Sequence, residues 1–293
     1  MTARVALAYG SRARWLARRR KGITATDAAA LLGYHPWRTP LAIWLDKVDP
    51  DPDRPPTYAM ARGRALEPLL AAEYGRRAGA VMEKPPLLLQ HPDRPLFLAS
   101  LDWLAHTPDT TRVVEIKTVA NQDMARDWWD GGTPDYYAAQ VLWQLAITGL
   151  DEGIIFADVL GRFEERTIRR DPEWEAAAIP AVHDWWHTYV IGRTPPPLDP
   201  YRDYVHLNRV WLPEPGEEIE ATDAVMGAVG AYVKLRERAK EREHTMTGLR
   251  TQIRAHMRTA AILTHPDTGA RVARIDSRGA LGVTWKPQRE DTP

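Results

Sequence analysis

The sequence contains no cysteine, which excludes disulfides and thiolate metal sites and fits a reducing compartment. It has no apolar run near the roughly 18–20 residues needed to cross a bilayer. Arginines near the N-terminus are followed by no apolar stretch, so no secretory signal and no membrane role are expected. Net charge is missing as well, with 39 basic residues against 39 acidic ones. Most nucleic-acid binders are basic, so this total argues against DNA and leaves only the charge distribution to argue for it. The nine histidines show no His-x-x-His or comparable spacing, which removes the usual zinc signature. A Gly-rich phosphate loop and a Gly-x-Ser-x-Gly elbow are both absent, so nucleotide-loop and serine-nucleophile chemistry have no support.

What is present is unevenly placed. Six basic residues (Arg12, Arg14, Arg18, Arg19, Arg20 and Lys21) fall within ten positions. Such a run serves equally as a solvated helix face or as a phosphate-facing one. Twelve tryptophans are many for 293 residues, and the pairs Trp128-Trp129 and Trp185-Trp186 suit either base stacking or core packing.

The pattern predicts a basic helix over 12–21 and a helix capped by Thr26 or Asp27 that stops at Gly33. Thr39-Pro40 opens another helix, which ends near Val48 before the polar loop Asp49-Pro50-Asp51-Pro52-Asp53. A helix over 59–78 is expected to kink or restart at Pro68. Strands are expected at 95–104, 112–119, 153–160 and 163–169, with helices from Pro134 to Gly149 and from Pro172 to Tyr189. The stiff segment Arg193-Thr194-Pro195-Pro196-Pro197 divides a core, 1–192, from an accessory region, 193–293. That region reads as a long charged helix over 217–260 and a short β tail over 270–286.

The chemistry concentrates in Val113-Val114-Glu115-Ile116-Lys117-Thr118. Side chains alternate along a strand, so Glu115 and Lys117 emerge on one face while Val114 and Ile116 face the opposite, buried side. Asp102 lies thirteen residues earlier, near the end of the preceding expected strand. If those strands pair, two carboxylates and one amine meet. Magnesium takes oxygen ligands and needs only one or two carboxylates, so Asp102, Glu115 and the Ile116 carbonyl suit it. Lys117 would orient or deprotonate water and stabilise charge on a phosphate. Glu67 offers a third carboxylate from a helix, or else a surface charge paired with Arg62 or Arg64. Gln140 and Gln144 lie one turn apart on one helix face, fit to hold water or phosphate or to be plain polar surface. A Glu-x-Lys tripeptide by itself is weak, because charged pairs on solvated strand faces are common.

The order of the pieces says more. Gly22-Ile23-Thr24-Ala25-Thr26-Asp27-Ala28-Ala29, then Leu32-Gly33-Tyr34-His35-Pro36-Trp37 and Thr39-Pro40, resembles the opening of the YqaJ-like viral recombinase family, which includes the lambda exonuclease type. Gly63 with Glu67-Pro68, Ala99-Ser100-Leu101-Asp102, Val114-Glu115-Ile116-Lys117-Thr118, and Pro134 with Tyr137 and Gln140 follow in the family's order.

The resemblance implies an α/β fold, the PD-(D/E)XK nuclease core with a central mixed sheet flanked by helices, here extended by a C-terminal helical arm and small β tail. It implies a Mg²⁺-dependent exonuclease, with Mn²⁺ as substitute, acting on linear duplex DNA ends 5′ to 3′ for recombination by strand annealing. Asp102, Glu115, Lys117 and Gln140 then form the catalytic set. Asp102, Glu115, Ile116 and Glu67 hold metal, and Arg19 and Thr26 take the terminal 5′-phosphate. Two departures stand out: Leu101 and Trp103 flank Asp102 where the family has Pro-Asp-Gly, and Thr26 replaces the usual serine. Neither removes a ligand, so activity is expected to survive. Two rivals stay open, a catalytically silent DNA-binding recombination scaffold and an endonuclease on the same core. The setting expected is cytoplasmic, in a bacterial or phage-infected cell, with a single-strand annealing protein as partner.

A neutral monomer holds DNA poorly in salt, since phosphate contacts weaken as counterions compete. A closed ring removes that weakness by topology, and the family resemblance implies a trimer. Light scattering at micromolar concentration is therefore expected to return three times the chain mass, and a monomer mass would count against the ring.

Overall fold

The computed structural model describes residues 4–8, 12–50, 55, 57–85 and 87–285, with backbone alone for 4–8, 12 and 87. Asp51-Pro52-Asp53 of the expected loop, the Arg12 side chain and the end of the expected β tail at Lys286 lie outside the described residues. Two compact units divide the chain, Met1–Pro213 and Glu214–Pro293.

The first unit runs β1 (Arg4–Ala8), α1 (Arg12–Arg20), α2 (Ala25–Leu31), α3 (Pro40–Val48), α4 (Tyr58–Ala78), β2 (Val81–Glu83), β3 (Leu87–Gln90) and β4 (Leu98–Ser100). It continues with β5 (Trp103–His106), β6 (Thr111–Val119), α5 (Gln122–Ala125), α6 (Asp135–Thr148), β7 (Glu152–Val159), β8 (Arg162–Arg169), α7 (Pro172–Trp185) and α8 (Leu207–Val210). The second holds α9 (Asp223–Met257) and an antiparallel sheet of β9 (Ile262–Thr264), β10 (Arg271–Ile275) and β11 (Leu281–Val283). The expected α/β class, with a C-terminal helical arm and β tail, is what the chain forms.

The main sheet has the order β2-β5-β6-β7-β8. It is mixed: β6 and β7 run parallel, while the other neighbours are antiparallel. Parallel neighbours need a long crossover, which α6 supplies. Helices cover both faces, and β6 shows the consequence. Val113 packs with Val141 and Leu145 of α6, while Val114 and Ile116 pack with Leu70, Ala71 and Tyr74 of α4. The predicted alternation is therefore real, yet both faces are buried. Gly153 lets α6 close on β7, since a Cβ there would lie 2.4 Å from Val141 Cγ1.

Several expectations are corrected. The strand expected over 95–104 breaks at Leu101-Asp102 into β4, which pairs with β3 in a separate small sheet, and β5, which pairs with β2 and β6. The bend forms without glycine because the Asp102 carboxylate accepts the Ile116 N–H at 3.0 Å and secures it from outside. Helix α4 runs through Pro68 as one element of 21 residues, with no restart. Helix α2 is capped by Thr24, not by Thr26 or Asp27. The core boundary falls after Pro213 rather than at 192, because residues beyond the prolines pack back. Thr39 Oγ1 donates to Asp203 Oδ1 at 2.5 Å, and Arg202 Nη1 donates to the His35 and Pro36 carbonyls at 3.1 and 3.2 Å. Trp128 and Trp186 are core residues at 1% and 9% exposure, which settles their use as packing.

Asp27 organises the N-terminal helices. Its Oδ2 accepts the Thr24 N–H and hydroxyl at 3.1 and 2.9 Å and the Lys47 ammonium at 2.7 Å, while Oδ1 takes Arg38 at 3.3 Å. Burial alone would raise its pKa, but Lys47, then Arg38 and Arg19, more than offset that and hold the carboxyl well below its usual range. A depressed carboxylate stabilises the fold above its ordinary pKa of 3.8 and loses that contribution as pH falls below it. Asp27→Ala strands a buried Lys47 and is expected to cost about 3–5 kcal/mol. Urea denaturation at pH 7 checks this, and the gap between wild type and variant is expected to shrink below pH 4. A gap that is unchanged at low pH would sink the assignment.

Candidate active site

Glu115 lies at the middle of β6 with 2% exposure, and its burial determines its surroundings. A buried carboxylate needs donors for its lone pairs. Three side chains supply them. Lys117 Nζ, two residues on along the same face, and Gln140 Nε2 at 2.5 Å reach Oε1. Gln144 Nε2 reaches Oε2 at 2.8 Å and the Ser100 carbonyl at 3.3 Å. The one-turn spacing of Gln140 and Gln144 aims both down from α6, which Trp143 pins to β4 through the Leu98 carbonyl at 3.2 Å. Gln140 Oε1 accepts Lys117 Nζ at 3.3 Å, and the Tyr137 ring lies 4.7 Å beneath that ammonium.

Asp102 occupies the bend between β4 and β5. Loss of solvent first and Glu115 second push its pKa up, with Glu67 adding to the rise; Lys117 and the Ile116 N–H pull it down. Burial works against the Lys117 ammonium, yet Glu115 and Asp102 together hold its pKa above the ordinary value. Lys117 is therefore a cation in this arrangement, placed to stabilise negative charge rather than to take a proton.

A cavity of about 480 Å³ opens here, with Glu67, Asp102, Glu115, Ile116 and Lys117 all in its wall. Glu67 faces it from α4, tied to Trp103 Nε1 at 3.2 Å and Lys84 Nζ at 2.5 Å rather than to Arg62 or Arg64. Trp103 thus occupies the family's glycine position and anchors the third carboxylate.

Gln140 and Thr26 line a second cavity of about 210 Å³, which shares Lys117 and Tyr137 with the first. Arg19 Nη2 donates to Thr24 Oγ1 at 3.1 Å and its guanidinium lies 4.4 Å from the Trp15 ring centre. At the start of α2 the Thr24 N–H is already bonded to the Asp27 carboxylate at 3.1 Å.

The larger cavity's wall offers the carboxylate oxygens of Glu67, Asp102 and Glu115. Among the described residues, no three His, Asp or Glu side chains stand close enough together to form a ready metal cage. Asp102, Glu115 and the Ile116 carbonyl still suit Mg²⁺, which keeps several waters and takes few protein ligands. Burial is the first cause of the raised Asp102 pKa and the neighbouring Glu115 carboxylate the second, and that second cause is one a cation would relieve.

Sequence reasoning undervalued Gln144, Trp103 and Lys84. The i, i+4 spacing after Gln140 was the available signal for Gln144. Nothing local reveals Lys84, which meets Glu67 through the fold.

The fold defines the class first. It is similar to the crystal structure of LHK-Exo in complex with dAMP, with TM-score 0.54 at 21% identity, covering 68% of this chain and 97% of that one. A second structure, of the alkaline exonuclease LHK-Exo from Laribacter hongkongensis, gives TM-score 0.52 at 20% identity, covering 68% and 98%. At these identities the likeness establishes the fold alone, an α/β core with a mixed sheet flanked by helices. By sequence, residues 14–151 match the model of the YqaJ-like viral recombinase domain. The uncharacterized protein YqaJ of Bacillus subtilis (strain 168) is 29% identical over 257 residues, spanning 85% of this chain and 79% of that protein. Every residue of the two cavities named above lies within the matched domain. No helix among the described residues is long and apolar enough to cross a membrane.

Gln144→Met keeps the shape of the buried side chain but leaves Glu115 Oε2 short of a donor. It is expected to destabilise the first unit by about 1–3 kcal/mol, the usual cost of an unmet buried acceptor. Chemical denaturation would read the loss; equal or greater stability would mean Gln144 does not hold Glu115.

Proposed function

We propose that the protein is a metal-dependent deoxyribonuclease that digests linear duplex DNA from its ends, 5′ to 3′, and leaves single strands for recombination by annealing. The observation that carries this reading is the convergence of Asp102, Glu115 and Lys117 on one cavity within a YqaJ-like viral recombinase domain. LHK-Exo, an alkaline exonuclease by its own description, supports it through the shared fold.

Asp102, Glu115 and the Ile116 carbonyl would hold Mg²⁺, or Mn²⁺ in its place, with Glu67 as a further carboxylate. When bound, the ion supplies Lewis-acid stabilisation of phosphate oxygens and a more acidic water. The chain's own groups do the rest. Lys117, fixed by Glu115 and Gln140, presents its ammonium where negative charge grows on the phosphate. Gln140 aligns the attacking water through the amide that also grips Lys117. Water oxygen bonds to phosphorus, its proton passing to solvent, while the P–O bond to the leaving alkoxide breaks and that alkoxide takes a proton from solvent. Such an in-line displacement inverts phosphorus.

Arg19 and Thr26 are assigned the terminal 5′-phosphate, the guanidinium gripping it with paired hydrogen bonds. The working form is a closed oligomer, a trimer by family resemblance, acting with a single-strand annealing protein.

Purified protein with linear and closed circular duplex, in Mg²⁺ or EDTA, tests the reading. Degradation of linear DNA alone, and only with Mg²⁺, is expected. Cutting of the closed circle would make it an endonuclease, and binding without degradation a silent scaffold. Lys117→Ala is expected to abolish hydrolysis while duplex binding persists. Retention of more than about a tenth of the rate, a barrier change under ~1.4 kcal/mol, would remove Lys117 from the chemistry. A 5′-phosphorylated end is expected to be digested faster than a 5′-hydroxyl end, a preference that Arg19→Ala erases.

A further inference from the structure

One exposed aromatic group near the active site has no role in the reaction above. Trp37 is 58% exposed, an unusual position for an indole in a well-packed unit. Its ring is not loose. It meets His35 edge-on at 5.6 Å between ring centres and Tyr136 edge-on at 5.5 Å, and His35 lies 5.7 Å from Tyr136. Tyr136 is itself buried at 8% exposure and stands next to Tyr137 on α6. These three rings, with Lys117, Gln140 and Thr26, wall the smaller cavity, which shares Lys117 and Tyr137 with the acidic one.

The loop that carries Trp37 is held from several sides. His35 Nδ1 accepts the backbone N–H groups of Trp37 and Arg38 at 3.2 and 3.1 Å, so the ring proton sits on Nε2. Burial first, then Arg38, Arg202 and Lys117, push the His35 pKa down to about 4, which keeps the ring neutral at physiological pH. Arg38 is bound to Asp27 at 3.3 Å. Arg202 bonds the carbonyls of His35 and Pro36 and is held in turn by Asp199 at 2.8 Å. An aromatic group fixed this firmly and left uncovered is preorganised for a flat partner.

We infer that Trp37, backed by His35 and Tyr136, is a stacking platform for a nucleobase of the strand whose phosphate lies at Lys117. The occupant follows from adjacency. A chain with its phosphate between Lys117 and the carboxylates must place a neighbouring base beside that phosphate, and the aromatic wall is an exposed stacking surface that shares Lys117. Stacking is tolerant of base identity because every base has a π-face, which suits degradation without sequence preference. This inference rests on the nuclease reading, so its test must separate the two.

Binding is measured in EDTA, where no digestion occurs, with duplexes carrying an abasic residue at the first, second or third position of the 5′ strand. At one of these positions wild type is expected to lose about ten-fold in affinity, within the range of a base–aromatic stack. Trp37→Ala is expected to bind intact duplex about ten-fold more weakly and to be indifferent to the abasic residue there, while Trp37→Phe restores the difference. Losses that simply multiply at all three positions would overturn the platform, as would wild type insensitive to every abasic substrate. The nuclease reading fails separately: a protein that digests linear DNA yet shows no abasic effect loses only the platform, whereas one that neither binds nor digests DNA loses both.

Discussion

A single buried carboxylate at the centre of the main sheet sets the terms for everything around it. Glu115 is nearly inaccessible, and an ionised carboxylate in that position is costly unless every oxygen is paired. Its partners come from two elements, Lys117 from β6 and Gln140 and Gln144 from α6. Helix α6 can lie that close only because Gly153 on β7 presents no side chain to Val141. The same pairing exposes the Ile116 N–H to Asp102, which bends the chain from one sheet into the other. Packing, topology and charge placement are thus one problem solved together.

A second buried carboxylate, Asp27, performs the same service among the N-terminal helices. It gathers Lys47 and Arg38, with Arg19 in electrostatic reach, at the start of α2. Through Arg38 it steadies the loop of His35 and Trp37, and Arg202 steadies that loop from the segment beyond the prolines. The stretch after Pro197 therefore belongs to the core rather than to the arm, as its bonds to Thr39 and Asp49 also show. A chain with no net charge builds its cation-rich and anion-rich regions by placement alone. Lys117, flanked by Glu115 and Asp102, is where the two kinds of region meet.

The α/β class, the likeness to the YqaJ-like viral recombinase family and the shared face of Glu115 and Lys117 were legible in the sequence. Motif order along one chain is a local property that tertiary contacts cannot alter, and strand alternation is enforced by backbone geometry. That is why Glu115 and Lys117 could be assigned to one face of β6 before any fold was seen. The C-terminal helix was legible for the same reason, since α9 is long and dense in charge.

Tertiary structure decided the rest, because it depends on partners distant along the chain. Asp102 looked like a strand residue until its bond to Ile116, fourteen positions on, made it the hinge between two sheets. The Glu67 carboxylate turned to Lys84 and Trp103 rather than to its helix neighbours, a choice set by where β5 passes α4. Gln144 read either as a holder of water or phosphate or as polar surface, and it became fully buried because the packing of α6 on β6 brings Glu115 beneath it. The cap of α2 moved to Thr24 once Asp27 found Lys47, twenty residues away. Periodicity states which side chains share a face; the closing of one face on another decides which of them meet.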